Sequence, residues 1–183
     1  RNPQRELTAG QGAESGRPAD VIVFGLGRYG GRLVTHRRFG TAKWLLSDDS
    51  QPINRDKLLG DLGGELPEFI EDMAEAYGWA DLVICRAGAL TVSEVAAAGL
   101  PAIFVPFPYA VDDHQTRNAE YLVERKAALL LAEADISARR LADAVMELLR
   151  DPARRMDMAV RARGAAEPDA AARVADLCGA LAT

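Results

Sequence analysis

Cysteine and histidine are scarce in this sequence, two of each among 183 residues. Cys85 and Cys178 stand far apart with no C-x-x-C spacing, which fits a reducing, cytoplasmic compartment. Two thiols and two imidazoles at these separations make no metal site, and no cofactor is expected. The chain also lacks a Lys/Arg run or basic stripe, and its net charge of −5 argues against a nucleic-acid partner. No apolar run is long enough to span a bilayer and no signal peptide is visible, so any membrane contact is expected to be peripheral. What is present is a 49% apolar composition with charges of both signs, the mark of a folded globular chain. Its length suits one good-sized domain or at most two small ones. The chain opens on Arg1 rather than Met and is expected to be part of a longer polypeptide.

Residues 1–19 are polar and rich in Gly, Pro and Gln, and read as a linker remnant. From residue 20 to 183 strands and helices alternate. Apolar runs at 21–24, 43–46, 81–86, 100–108 and 129–135 predict strands, and helical spacing marks 29–39, 67–80, 90–99, 113–128 and 136–151. In the segment at 67–80, Phe69, Ile70, Met73 and Tyr77 share one apolar face. Alternation of this kind predicts an α/β fold, a doubly wound parallel sheet covered on both faces. An Arg-rich helical pair follows, "MELLRDPARRMDMAVRARGAA", which reads as solvated amphipathic faces rather than a nucleic-acid patch. Cys85, inside a buried apolar strand, reads as a packed small hydrophobe rather than a nucleophile.

Three stretches carry possible chemistry. "VIVFGLGRYGG" places Gly25, Gly27 and Gly30 in a G-x-G-x-x-G directly behind a strand, where backbone amides can approach a phosphate. Asp48 and Asp49 lie about twenty residues beyond, where a dinucleotide site wants an acid for its ribose. Read alone, this third of the chain favours an NAD(H)-binding regulatory or redox module. The second stretch, "CRAGALTVSEVAAAGLP", turns on Ala87, Gly88 and Ala89 and enters a helix near Thr91. Thr91 and Glu94 have T-x-x-E capping-box spacing, and Gly99 with Pro101 closes the helix. The helix start is a ready diphosphate site, but spacing alone favours the reading in which Thr91 and Glu94 only cap each other. In the third, "VPFPYAVDDHQTRNAEYL", a helix capped by Asp112 or Asp113 gathers His114, Gln115 and Asn118 in its first turns. That is a hydrogen-bonding cluster suited to a polyhydroxylated ligand at the carboxyl end of a strand, or else a solvated helix start.

Taken together, the ALTVSE turn, AAAGLP and DHQTRNA, in this order and spacing, resemble the C-terminal domain of the MurG-type peptidoglycan N-acetylglucosaminyltransferases. The likeness is close over 67–128 and weaker to about 177, and "NPQREL" at 2–7 is faintly similar to the segment joining that family's two domains. The resemblance implies the Rossmann-like C-terminal half of a GT-B glycosyltransferase, a hexosyltransferase binding UDP-N-acetylglucosamine. GlcNAc would pass with inversion to lipid I, giving lipid II, at the cytoplasmic face of the inner membrane. On matching positions it implies a donor turn at Ala89, Leu90, Thr91, Val92, Ser93 and Glu94. Leu90 and Thr91 would face the diphosphate, and Glu94 the ribose hydroxyls. Ile70 would read the uracil edge through its backbone and Arg5 would pack on the base. Gln115 and Asn118 would contact the hexose, with His114 where some relatives carry Gln. No catalytic residue is implied in this half; the base and most of the lipid-acceptor surface belong to an N-terminal domain, so these residues alone are not expected to turn over substrate. A C-terminal helix that crosses back to the other domain is common in such proteins. The sequence departs from the pattern at "GLGRYGG", where Gly27 replaces a phosphate-binding Ser, and over 31–66, which is shorter and divergent.

Overall fold

The computed structural model describes residues 20–24, 43–47 and 72–181. Five strands form one fully parallel sheet: β1 (Asp20–Phe24), β2 (Lys43–Ser47), β3 (Leu82–Cys85), β4 (Ala102–Phe104) and β5 (Ala128–Leu130). Their order across the sheet is β2-β1-β3-β4-β5. The direction of winding reverses between β1 and β3, and in such sheets ligands collect outside the carboxyl ends of the strands at that reversal.

Val21–Val23 of β1 and the whole of β3 and β4 are buried on both faces, as a parallel sheet demands. Alternate residues divide between two cores. Ile22, Val83, Cys85, Ala102 and Phe104 face one, with Tyr77, Val92, Val95 and Leu122 packed on them. Val21, Val23, Leu82, Ile84 and Ile103 face the other, against Leu141, Val145 and Leu148. The helices that supply these covers are α1 (Met73–Trp79), α2 (Ala89–Ala98), α3 (His114–Val123) and α4 (Ala138–Arg150). The doubly wound arrangement expected from the strand–helix alternation is therefore present.

Two further helices follow, α5 (Pro152–Gly164) and α6 (Ala170–Leu181). Pro152 ends α4 as expected and sits at the first position of α5, where its missing N–H costs nothing. Asp151 caps α5 by accepting from Arg154 N at 2.8 Å. The arginines of this pair meet acids on their own surface, Arg161 with Asp157 at 2.8 Å and Arg154 with Glu147. Arg155 donates to the last carbonyls of α4, those of Leu148 and Leu149. Those contacts fit a solvated structural face. Helix α6 buries none of its residues and leaves Val174, Leu177 and Leu181 exposed. Among the described residues no helix is long and apolar enough to cross a membrane.

Several boundaries differ from the sequence expectation. The strand expected over 100–108 is only Ala102–Phe104. Leu100 closes α2, its N–H donating to Val95 O at 3.1 Å, while Pro106 and Pro108 have no N–H for a ladder. The helix expected over 113–128 stops at Val123 because Lys126 turns left-handed at φ 57°. Ala127 N then reaches Leu122 O at 2.9 Å, a Schellman-type closure made here by lysine. This returns Ala128 to the sheet. The strand expected over 129–135 accordingly spans Ala128–Leu130, and Glu133–Asp135 form a short 3-10 turn. The expected helix over 29–39 and residues 67–71 lie outside the described residues.

Candidate functional site

The site is built where β3 and β4 end. After Cys85 the chain turns through Arg86, Ala87 and Gly88, and α2 begins at Ala89 with Gly88 as its N-cap. No side chain caps this end. The first amide to find an intrahelical partner is Val92 N, which donates to Gly88 O at 3.0 Å. The N–H groups of Ala89, Leu90 and Thr91 therefore point out of the helix with no intrahelical acceptor, at the positive end of its dipole.

The capping box expected of Thr91 and Glu94 does not form. Because the helix is capped at Gly88, three residues earlier, Thr91 is the third helical residue rather than the cap, and Glu94 lies a turn further along. The Glu94 carboxylate instead accepts from the Tyr77 hydroxyl of α1 at 3.1 Å. Of the remaining residues in the turn, Val92 is buried in the core and Ser93 donates to Ala89 O at 3.0 Å on its own helix. Leu90 is largely exposed at 79%. Gly99 ends α2 as expected, in the left-handed conformation at φ 67°.

Helix α3 approaches this turn from β4. Its two leading aspartates do not cap it in the expected way: Asp112 and Asp113 both adopt φ 52°, and Asp113 accepts from the Thr116 hydroxyl at 2.6 Å rather than from a backbone amide. Left-handed φ is tolerated by Asp better than by most residues. The bend turns one face of α3 onto the β3–α2 turn. There Gln115 Oε1 accepts from Phe107 N at 2.9 Å and from Ala87 N at 3.3 Å. One turn on, Asn118 Nδ2 donates to Ala87 O at 3.1 Å. Both bonds of Ala87 thus go to α3, and the two segments singled out in the sequence meet at one residue. Backbone partners fix the orientation of each carboxamide: Gln115 must present its oxygen and Asn118 its nitrogen. Gln115 Nε2 and Asn118 Oδ1 have no partner among the described residues. His114, next on the same helix end, is exposed.

Arg86, which no motif in the sequence singles out, braces the junction. Arg86 Nη1 donates to Val105 O and Pro106 O, each at 3.1 Å, and to Glu133 Oε2 at 2.5 Å. Its guanidinium also lies 5.5 Å from the Phe107 ring centroid. Arginine suits this place because its fork serves several acceptors at once. Cys85 is fully buried one residue before, and burial raises its thiol well above the ordinary range, which keeps it from acting as a nucleophile. Cys178 is exposed. Ellman's reagent should accordingly titrate one thiol per chain in buffer and two in guanidinium; rapid reaction of both in buffer would contradict the burial of Cys85.

Among the described residues no three His, Cys, Asp or Glu side chains gather in a way that could hold a metal ion. Of the other residues expected at the site, Arg5, Gly25, Gly27, Gly30 and Ile70 lie outside the described residues, as do Asp48 and Asp49.

A parallel sheet of this order, with helices packed on both faces, belongs to the doubly wound, Rossmann-like α/β class. The model of the glycosyltransferase family 28 C-terminal domain matches residues 47–174, and the chain belongs to that family. It is 58% identical over 114 residues, 62% of this chain and 32% of the relative, to the UDP-N-acetylglucosamine–N-acetylmuramyl-(pentapeptide) pyrophosphoryl-undecaprenol N-acetylglucosamine transferase of Azotobacter vinelandii. The enzyme of the same name from Xanthomonas oryzae is 45% identical over 174 residues, 88% of this chain and 40% of the relative. Among solved structures, MurG of Acinetobacter baumannii superposes with a TM-score of 0.73 at 35% identity, over 90% of this chain and 52% of that one. The chain thus spans from about a third to about half of the length of these relatives. The fold is the Rossmann-like C-terminal half of a GT-B glycosyltransferase.

Proposed function

We propose that residues 20–183 form the donor-binding half of a hexosyltransferase, taking UDP-N-acetylglucosamine for inverting transfer of GlcNAc to lipid I. The observation that carries this reading is the double tether at Ala87, which places the uncapped start of α2 beside Gln115 and Asn118. A diphosphate at that helix start would receive the Ala89, Leu90 and Thr91 amides along the helix dipole, where charge develops as UDP leaves. Glu94 would accept from the ribose hydroxyls, and Gln115 and Asn118, with His114 beside them, would meet the hexose. Gly25, Gly27 and Gly30 would cradle phosphate through backbone alone. Ile70 would read the uracil edge and Arg5 would stack on the base. The acceptor lipid and the base that deprotonates its hydroxyl would be supplied by a preceding domain, at the cytoplasmic face of the membrane. The exposed Val174, Leu177 and Leu181 of α6 suit a contact with that domain.

Family membership favours this reading over an NAD(H) module built on the glycine loop. Calorimetric titration separates the two. UDP-N-acetylglucosamine should bind and NADH should not, and Glu94→Ala should weaken UDP-N-acetylglucosamine about tenfold to a hundredfold, the worth of one charge-assisted hydrogen bond. Binding of NADH in preference to the sugar nucleotide would overturn the assignment.

A further inference from the structure

Glu94 is exposed on a helix surface, where a free glutamate samples many rotamers, and ordering such a side chain on binding costs affinity. In this fold it is not free to sample. The Tyr77 hydroxyl, from a different helix, donates to Glu94 Oε2 at 3.1 Å. The Tyr77 ring is 6% exposed and packed in the core that α1 and α2 share, so the phenol is held by the interior of the protein.

We propose that Tyr77 is a positioning residue for the donor site, anchoring one oxygen of Glu94 so that the other meets a vicinal pair of ribose hydroxyls without reordering. The proposal rests on the donor-site reading of Glu94. An ionised carboxylate offers about four lone-pair directions, and one phenol uses a single one of them. No described residue donates to Glu94 Oε1, the oxygen the proposal assigns to the ribose hydroxyls. The phenol is also a dependable donor: burial, and then the negative charge of Glu94, push its ionisation far above the ordinary range.

The test is calorimetry on the 183-residue chain with UDP and with 2′,3′-dideoxy-UDP, which lacks the hydroxyl pair. Tyr77→Phe should weaken UDP about three- to tenfold, the worth of an ordinary hydrogen bond, and leave the dideoxy analogue unchanged. In a Glu94→Ala background it should cost nothing more. Glu94→Asp leaves the core untouched but shortens the reach by one methylene, and should lose nearly as much UDP affinity as Glu94→Ala. A merely structural tyrosine would weaken both nucleotides alike, and that result would overturn the proposal. So would parent-like UDP binding by Tyr77→Phe or Glu94→Asp while Glu94→Ala still weakens it. Unchanged UDP binding by Glu94→Ala would instead remove Glu94 from the site, and the role of Tyr77 with it.

Discussion

Phe104→Ala should lower the unfolding free energy by about 3–5 kcal/mol, the usual cost of emptying a buried aromatic site. Phe104 is fully buried at the end of β4, next to the central strand β3, and faces the core that carries α2 and α3. Its neighbours there, Cys85 and Ala87 among them, belong to short strands and a turn whose backbone is pinned by the ladder. Such a site collapses poorly, so the cavity persists. Urea denaturation is the measurement, with Val160→Ala as the control. Val160 is 59% exposed on α5, and its truncation should change stability by no more than about 0.5 kcal/mol. Equal losses in the two variants would mean that the core around Phe104 is not the one that holds the fold.

The sheet could be read from the sequence because its information is local. Runs such as Leu82–Cys85 and Ala102–Phe104 are apolar on both faces, and few other structures bury such a run. Gly99 and Pro152 marked helix boundaries for reasons confined to one or two residues. The meeting of the two polar segments was also within reach. Ligand sites of parallel sheets collect at strand carboxyl ends, and both segments followed strands.

What escaped were side-chain contacts across long separations. Arg86 is one residue in a turn until β4 and the Glu133 turn are placed beside it; its partner stands 47 positions away. Tyr77 was legible as an apolar-face residue, and it is buried, but no spacing reveals that its hydroxyl serves Glu94, 17 residues on. The failed capping box has another cause. Thr91 and Glu94 had the right separation, yet Gly88, which any local rule ranks as an acceptable cap, started the helix earlier and released Glu94. Lys126 misled in the opposite direction. Lysine is a good helix former with no preference for φ of 57°, so nothing in its type announced the end of α3.

Gln115 is where fold and proposed function can be pulled apart with two substitutions. Gln115→Leu keeps the approximate shape but removes the acceptor shared by Ala87 N and Phe107 N. Each amide left without a partner costs roughly 1–3 kcal/mol, and partial exposure of Phe107 puts its share at the lower end. A total loss of about 2–4 kcal/mol is expected, read by urea denaturation. The β3–α2 turn and the α3 start would no longer be tied, so sugar-nucleotide binding should fall at least about tenfold with it. Gln115→Glu behaves differently. Its carboxylate accepts from the same two amides, so stability should stay within about 0.5 kcal/mol of the parent. Its new charge, however, faces the helix start proposed for a diphosphate, and like charges a few ångströms apart in a partly shielded site should weaken UDP-N-acetylglucosamine about tenfold. Uridine, which carries no phosphate, should bind both proteins equally. If Gln115→Glu weakened uridine as much as the sugar nucleotide, the damage would be to the turn itself. If it weakened neither, the anion would bind elsewhere, because a charge beside its pocket cannot go unnoticed.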